Sequence, residues 1–164
     1  MHNAYLLLGT NLGNRLAYLL QAATYIQALC GKVISQSSIY ETAAWGITNQ
    51  PSFYNQVLVI ETVLLPEHLM QNILSIEEKI GRKRTIKFGP RTIDIDILLI
   101  DGLTHNSPLL TLPHPALPQR KFALMPLAEV AATIIHPITK KSIAQLLLAC
   151  TDTLDVQKIT PTTN

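Results

Sequence analysis

Two carboxylates two residues apart, Asp94 and Asp96, stand within the otherwise apolar run Ile93-Asp94-Ile95-Asp96-Ile97-Leu98-Leu99-Ile100. In an extended strand, alternation puts both acids on one face and Ile93, Ile95 and Ile97 on the other. Like charges that close repel, and repulsion together with partial burial raises at least one pKa unless a cation lies between them. Hard oxygen ligands at this spacing suit Mg2+, which keeps waters and substrate phosphates as its remaining ligands. Taken alone, the same spacing also describes a solvated edge strand. Leu98 and Ile100 continue the acid face as apolar positions, so the spacing predicts a face buried farther along, with carboxylates at its rim that need partners.

The residues before this pair are cationic: Arg82, Lys83, Arg84, Lys87 and Arg91. Phosphoryl transfer requires cations beside carboxylates, because its transition state spreads negative charge over oxygens that metal ions and guanidinium groups neutralise. Arg91, directly after Gly89-Pro90 at the strand entry, is the candidate for a bidentate phosphate contact. Without the acids, the same stretch would read as an exposed basic turn.

Periodicity gives the elements that must position these groups. Residues 4–8 are apolar and end at Gly9-Thr10-Asn11-Leu12-Gly13, which predicts a buried strand and a turn. That turn has no lysine and does not match a Walker-type phosphate loop, so it reads as structural. Asn14 is placed to cap a helix over 14–30, with Leu16, Leu19, Leu20, Ala23, Ile26 and Cys30 at helical spacing and Gly31 as the stop. A second strand covers 32–41. Residues 42–52, with Gly46, Asn49 and Pro51, form a loop long enough to carry function. Residues 53–64 return to strand, with Tyr54, Gln56, Leu58 and Ile60 on one face and Phe53, Asn55, Val57, Val59 and Glu61 on the other. Pro66 opens a helix whose apolar stripe is Leu69, Ile73, Ile76 and Ile80, and Gly81 ends it. A strand over 92–100 is followed by an irregular, proline-rich stretch to 120, then by helices over 122–132 and 141–150. This order predicts an α+β fold: a ferredoxin-like, mostly antiparallel sheet with helices packed on one face and a C-terminal helical addition.

Composition bounds the rest. A length of 164 residues with 48% hydrophobic content suits one domain, placed at 1–158 with a polar tail over 159–164. A formal net charge of +2 is too small for a polyanion-binding surface, so no nucleic-acid partner is expected. An RNA-binding sheet of this type would need an aromatic-rich central strand, and a regulatory domain without catalysis would not need paired acids beside clustered arginines. Cys30 and Cys150 have neither metal nor disulfide spacing. The N-terminal apolar stretch is too short for a signal segment or a membrane span, so a cytoplasmic protein without membrane contact is expected, with a monomer as the default state.

The stretch Phe88-Gly89-Pro90-Arg91-Thr92-Ile93-Asp94-Ile95-Asp96-Ile97 resembles the signature of the hydroxymethyldihydropterin pyrophosphokinase family. Three more stretches are similar to that family in the same order. They are 5–11 with its Leu8-Gly9-Thr10-Asn11 ending, 40–55 with Thr42, Trp45-Gly46, Gln50-Pro51 and Asn55, and Leu110-Thr111-Leu112-Pro113-His114 followed by Arg120, Phe122 and Pro126-Leu127. The resemblance implies transfer of pyrophosphate from ATP to 6-hydroxymethyl-7,8-dihydropterin on the route to folate, with two Mg2+ carried by Asp94 and Asp96. On the same resemblance Arg82 and Arg91 join Asp94 and Asp96 in catalysis. The pterin is then sandwiched between Phe53 and Phe122, with Thr42, Asn55 and the backbone at Ala44, Trp45 and Gly46 along its edge. Stacking plus an amide that donates and accepts suits a flat heteroaromatic, although an isolated phenylalanine is more often core. ATP contacts fall on Glu77, Arg84, Phe88, Ile97, Thr111, His114 and Arg120. The sequence departs from other members at Ala43-Ala44-Trp45, which replaces a proline-rich version, at Phe88 in place of a tryptophan, at Leu74 and Leu109 in place of polar or basic ATP contacts, and at Pro115 in place of an aromatic.

Overall fold

The computed structural model describes residues 1–43, 50–81 and 92–160. Along the chain, β1 (His2–Thr10) leads to α1 (Arg15–Leu29), β2 (Lys32–Gln36), β3 (Ile39–Thr42), β4 (Phe53–Thr62), α2 (Pro66–Ile80) and β5 (Asp94–Ile100). The short β6 (His105–Asn106) and β7 (Thr111–Leu112), a 3-10 turn over Leu117–Gln119, α3 (Lys121–Ala131), α4 (Ile143–Ala149) and β8 (Val156–Ile159) follow. The main sheet runs β5-β1-β4-β3-β8, with β2 also on β4, and every pairing among the described residues is antiparallel. With β1 and β4 at the centre and α1 and α2 each linking non-neighbouring strands, this is the expected ferredoxin-like order.

Local chemistry accounts for the helix ends. Asn14 Oδ1 accepts from the Ala17 N–H at 3.1 Å and caps α1. Pro66 sits in the first turn of α2, where its missing N–H costs no intrahelical bond, and Gly81 closes the helix in the left-handed region at φ 100. The α2 stripe of Leu69, Ile73, Ile76 and Ile80 is buried as its spacing predicts. In α1 the buried stripe is Leu19, Ala22 and Ile26, while Leu16 and Leu20 face solvent, Leu20 at 71% exposure. Each residue advances about 100° around a helix, so Leu20 is turned well away from Leu19 and the six-residue stripe is too wide.

The strand expected over 32–41 is two strands. At the break, Ser37 N–H donates to the Val57 carbonyl at 2.9 Å, while Ser37 Oγ accepts from Val57 N–H at 2.9 Å. A hydroxyl thus replaces one backbone partner, and the chain kinks without leaving β4.

Strand alternation sorts the core into two layers. Ala4, Leu6 and Leu8 pack with Leu58, Ile60, Ile95 and Ile97 against α1 and α2. Tyr5 and Leu7 pack with Val57, Val59, Leu98 and Leu99 against Ala123, Leu124 and Leu127 of α3 and Ile143 and Leu146 of α4. Helices therefore cover both faces, and the C-terminal addition closes the face opposite α1 and α2. The C-terminal segment also lengthens the sheet, since β8 pairs β3 from Val156 to Ile159, one residue past the boundary placed at 158. No helix among the described residues is long and apolar enough to cross a membrane.

The expectation that Ile100 continues the acid face is overturned. Tyr5 pairs Leu99 but Leu6 pairs Ile97, so Leu98 is one extra residue in β5. Such a bulge resets alternation. Leu98 and Leu99 both pack on the α3 side, and Ile100 turns to the α1 and α2 side.

Candidate active site

Register decides which side chains share a face. Gly9 pairs Asp94 on one side and Asn55 on the other, Leu7 pairs Asp96 and Val57, and Thr42 pairs Phe53. Directly opposed residues of an antiparallel sheet project to the same side. Asp94, Asp96, Phe53, Asn55 and Thr42 therefore all stand on the α3 side, at the end of the sheet where β1 leaves for α1. Leu7, Val57 and Leu98 form the apolar floor beside them.

Within this face Thr42 and Asn55 are buried, and Thr42 Oγ1 donates to Asn55 Oδ1 at 2.9 Å. That bond occupies the amide oxygen and aims the amide nitrogen across β1. A Cβ on Gly9 would come within 2.8 Å of Asn55 Nδ2 and 3.8 Å of Phe53 Cδ1, so a glycine is needed for the amide to lie there. Asp94, Asp96, Phe53 and Phe122 are half-buried, which leaves each a surface to offer a ligand.

His114 reaches the face through the bulge, its backbone N–H donating to the Leu98 carbonyl at 2.8 Å. Its Nδ1 accepts from Ala116 N–H at 3.1 Å, so the proton of the neutral ring sits on Nε2. Burial lowers the pKa of His114, the Arg120 cation lowers it further, and Asp94 opposes them. Arg120 and Asp94 are thus each within electrostatic reach of His114, which is neutral at pH 7. Arg120 stands at the start of α3 with its guanidinium 5.6 Å from the centroid of the Phe122 ring.

Other expected ATP contacts are placed differently. Thr111 is exposed on β7, with Oγ1 3.3 Å from Asn106 Oδ1. Ile97 buries its side chain in the α1 and α2 layer, on the reverse face from the acids, because its position has the opposite parity. Glu77 is 3% exposed and accepts from Ile95 N–H at 2.8 Å, so it holds the outer edge of β5. Ala44, Trp45, Gly46, Arg82, Arg84, Phe88 and Arg91 lie outside the described residues.

The contacts of two residues escaped sequence reasoning. Asn11, read there as part of a structural turn, is 1% exposed, and its Nδ2 donates to Gln50 Oε1 and to the Pro51 carbonyl, both at 3.0 Å. Arg15 donates to Ser52 Oγ at 3.0 Å and to the Ser52 carbonyl at 3.1 Å. Each residue was visible alone, but no local signal pairs the β1–α1 turn with the end of the β3–β4 connection.

The donor set of Asp94 and Asp96 is two carboxylates on one face, and no group of three or more His, Cys, Asp or Glu side chains gathers among the described residues. This fits Mg2+, which takes one or two carboxylates and completes its shell with water and phosphate, better than zinc, which takes three or four protein ligands.

Fold and site define a class: an α+β protein whose sheet end sets hard oxygen donors beside a cation, a neutral imidazole and a buried amide. The chain belongs to the 7,8-dihydro-6-hydroxymethylpterin-pyrophosphokinase (HPPK) family, whose sequence model matches residues 5–132. It is 41% identical over 145 residues to 2-amino-4-hydroxy-6-hydroxymethyldihydropteridine pyrophosphokinase of Aquifex aeolicus, covering 88% of this chain and 90% of that one. It is 37% identical over 157 residues to the folic acid synthesis protein fol1 of Pneumocystis carinii, covering 96% of this chain and 21% of that one. A crystal structure of HPPK-DHPS in complex with substrates superposes with a TM-score of 0.74 at 16% identity, a likeness that shows the fold alone. The match covers 90% of this chain and 43% of that solved chain, so this chain spans less than half of its length.

Proposed function

We propose that this chain transfers the terminal pyrophosphate of ATP to the hydroxymethyl group of 6-hydroxymethyl-7,8-dihydropterin, giving AMP and the pterin diphosphate for folate synthesis. The reading is supported above all by the register that puts Asp94 and Asn55 on either side of Gly9. Two strand spacings separate them, roughly 10 Å. That span suits a bicyclic pterin whose edge meets the amide while its hydroxymethyl arm points toward the acids.

The hydroxymethyl oxygen attacks the β-phosphorus, the bond from that phosphorus to the α–β bridging oxygen breaks, AMP leaves with the electron pair, and the hydroxyl proton passes to solvent. Asp94 and Asp96 would hold two Mg2+, which when bound would neutralise charge on the triphosphate. His114 donates from Nε2 and Arg120 from its guanidinium to phosphate oxygens, with Thr111, Arg84 and Phe88 completing the nucleotide side. Arg82 and Arg91 take the charge that develops on the transferred group. Phe53 and Phe122 stack on the pterin, and Thr42 and Asn55 bond its edge together with the backbone at Ala44, Trp45 and Gly46. Catalysis in this scheme is positioning and charge neutralisation rather than base catalysis. The protein is proposed to act as a cytoplasmic monomer with no nucleic-acid or membrane partner.

The test is product analysis with ATP, the pterin and Mg2+, repeated for Asp94→Asn and Asp96→Asn. AMP and pterin diphosphate are expected in equal amounts. Each variant is expected to lose turnover by roughly a hundredfold or more, with calorimetric pterin affinity within about threefold. ADP as product, or near-normal turnover in both variants, would overturn the proposal.

A further inference from the structure

Arg15 is the first residue of α1, and its contacts all leave the helix. Its guanidinium carbon lies 3.7 Å from the centroid of the Tyr54 ring. Nη1 donates to the Ser52 carbonyl at 3.1 Å and Ser52 Oγ at 3.0 Å, and stands 3.5 Å from Glu41 Oε2. Ser52 Oγ in turn donates to Glu41 Oε2 at 2.8 Å. Helix stability does not account for a cation here, because the N-terminal end of the helix dipole disfavours positive charge. Nor does the ion pair with Glu41, which is long and partly exposed and so contributes little by itself. What the side chain accomplishes is to grip the residue before Phe53 from the reverse side of the sheet.

That residue needs gripping. Gln50, Pro51 and Ser52 are not buried and bring no apolar anchor of their own, yet β4 begins immediately after them with Phe53 and Asn55. Asn11 holds Gln50 and Pro51, and Arg15 holds Ser52 and Tyr54, so polar contacts from the β1–α1 turn anchor the entry to β4, whose register is fixed by its pairing with β1 and β3. A planar fork that stacks and donates at once is particular to arginine, and lysine cannot reproduce it.

We infer that Arg15 is a positioning residue for the pterin half of the site, acting through Ser52 and Tyr54 on the strand start that presents Phe53 and Asn55. The inference rests on the pyrophosphokinase reading above. Its test compares Arg15→Ala and Arg15→Lys with the unaltered protein in steady-state kinetics and in hydrogen exchange. Arg15→Ala raises KM for the pterin roughly tenfold and leaves KM for ATP within about twofold. Arg15→Lys recovers less than half of that loss. Backbone exchange quickens in the peptide covering 50–55 while peptides from β1 and β5 keep their protection. A purely structural role would instead speed exchange across β1 and β5 and leave both KM values of the folded fraction unchanged, which overturns the inference, as does an equal rise in both KM values. If the unaltered protein turns over no pterin, the proposed function fails, and unchanged exchange at 50–55 in Arg15→Ala would sink the Arg15 grip separately.

Discussion

The backbone N–H of His114 donates to the carbonyl of Leu98 at 2.8 Å, and Leu98 is the extra residue of the β5 bulge. The bulge takes Leu98 out of register with β1, and its carbonyl receives a new donor on the open edge of β5. The segment after β7 docks there and carries His114 and Arg120 to the strand that bears Asp94 and Asp96. An irregularity in one strand is thus what brings two distant stretches of sequence onto one face.

Thr42→Val removes the hydroxyl that orients Asn55 while keeping side-chain volume. The buried Asn55 Oδ1 then loses its donor, at a cost of about 1–3 kcal/mol, and the amide is released to rotate. KM for the pterin is expected to rise roughly tenfold with KM for ATP within about twofold. Unchanged pterin kinetics would show that the amide is oriented by something else.

Gly9→Ala places a methyl 2.8 Å from Asn55 Nδ2, so the amide has to move. The loss is expected to fall on pterin affinity, measured by calorimetry. Because Gly9 and Thr42 act on the same amide, the double variant should lose less than the product of the two single losses. Full additivity would mean that the two residues do not share Asn55.

Glu77→Ala strips Ile95 N–H of its buried acceptor, and the unsatisfied donor costs about 1–3 kcal/mol before any loss of packing is added. Glu77→Gln keeps an acceptor oxygen and should retain more stability. Urea unfolding checks the ranking, and an alanine variant as stable as the parent would show that water reaches Ile95.

Stability is expected to fall with pH below about 6.5, the ordinary histidine value. Burial lowers the pKa of His136, and its Nδ1 already accepts from Ile138 N–H at 3.3 Å and Thr139 N–H at 3.1 Å. His114 is lowered as well, first by burial. An unfolded histidine takes up its proton near 6.5 and these folded ones only at lower pH, so the unfolded chain binds more protons in between. The stabilisation is therefore complete above 6.5 and is lost as pH falls through the folded values. Thermal melts from pH 8 to 5 read this directly. His136→Asn, whose Oδ1 can take the place of Nδ1, should flatten part of the decline, and an identical slope would assign that part to other groups.

Much of the scaffold was legible because its causes are local. The α2 stripe from Leu69 to Ile80, with Pro66 and Gly81 at its ends, needs nothing beyond helical period and terminal geometry. The common face of Asp94 and Asp96 needs only alternation, since both lie on the N-terminal side of the bulge. The family motifs likewise pointed to Thr42, Asn55, His114 and Arg120 as chain positions.

The sequence by itself determined β1, α1, β4, α2 and β5, the parity of the acids and the chemical types near one sheet end, because neighbouring residues fix dihedral preference and period. Tertiary structure alone decided that Ile100 turns away from Leu98, that Ser37 splits a strand by lending its hydroxyl to Val57, and that Asn11 and Arg15 hold Gln50 and Ser52. Each of these is a bond between segments far apart in the chain. Its partner is chosen by how the sheet closes, a property of the packed molecule that no local window of residues contains.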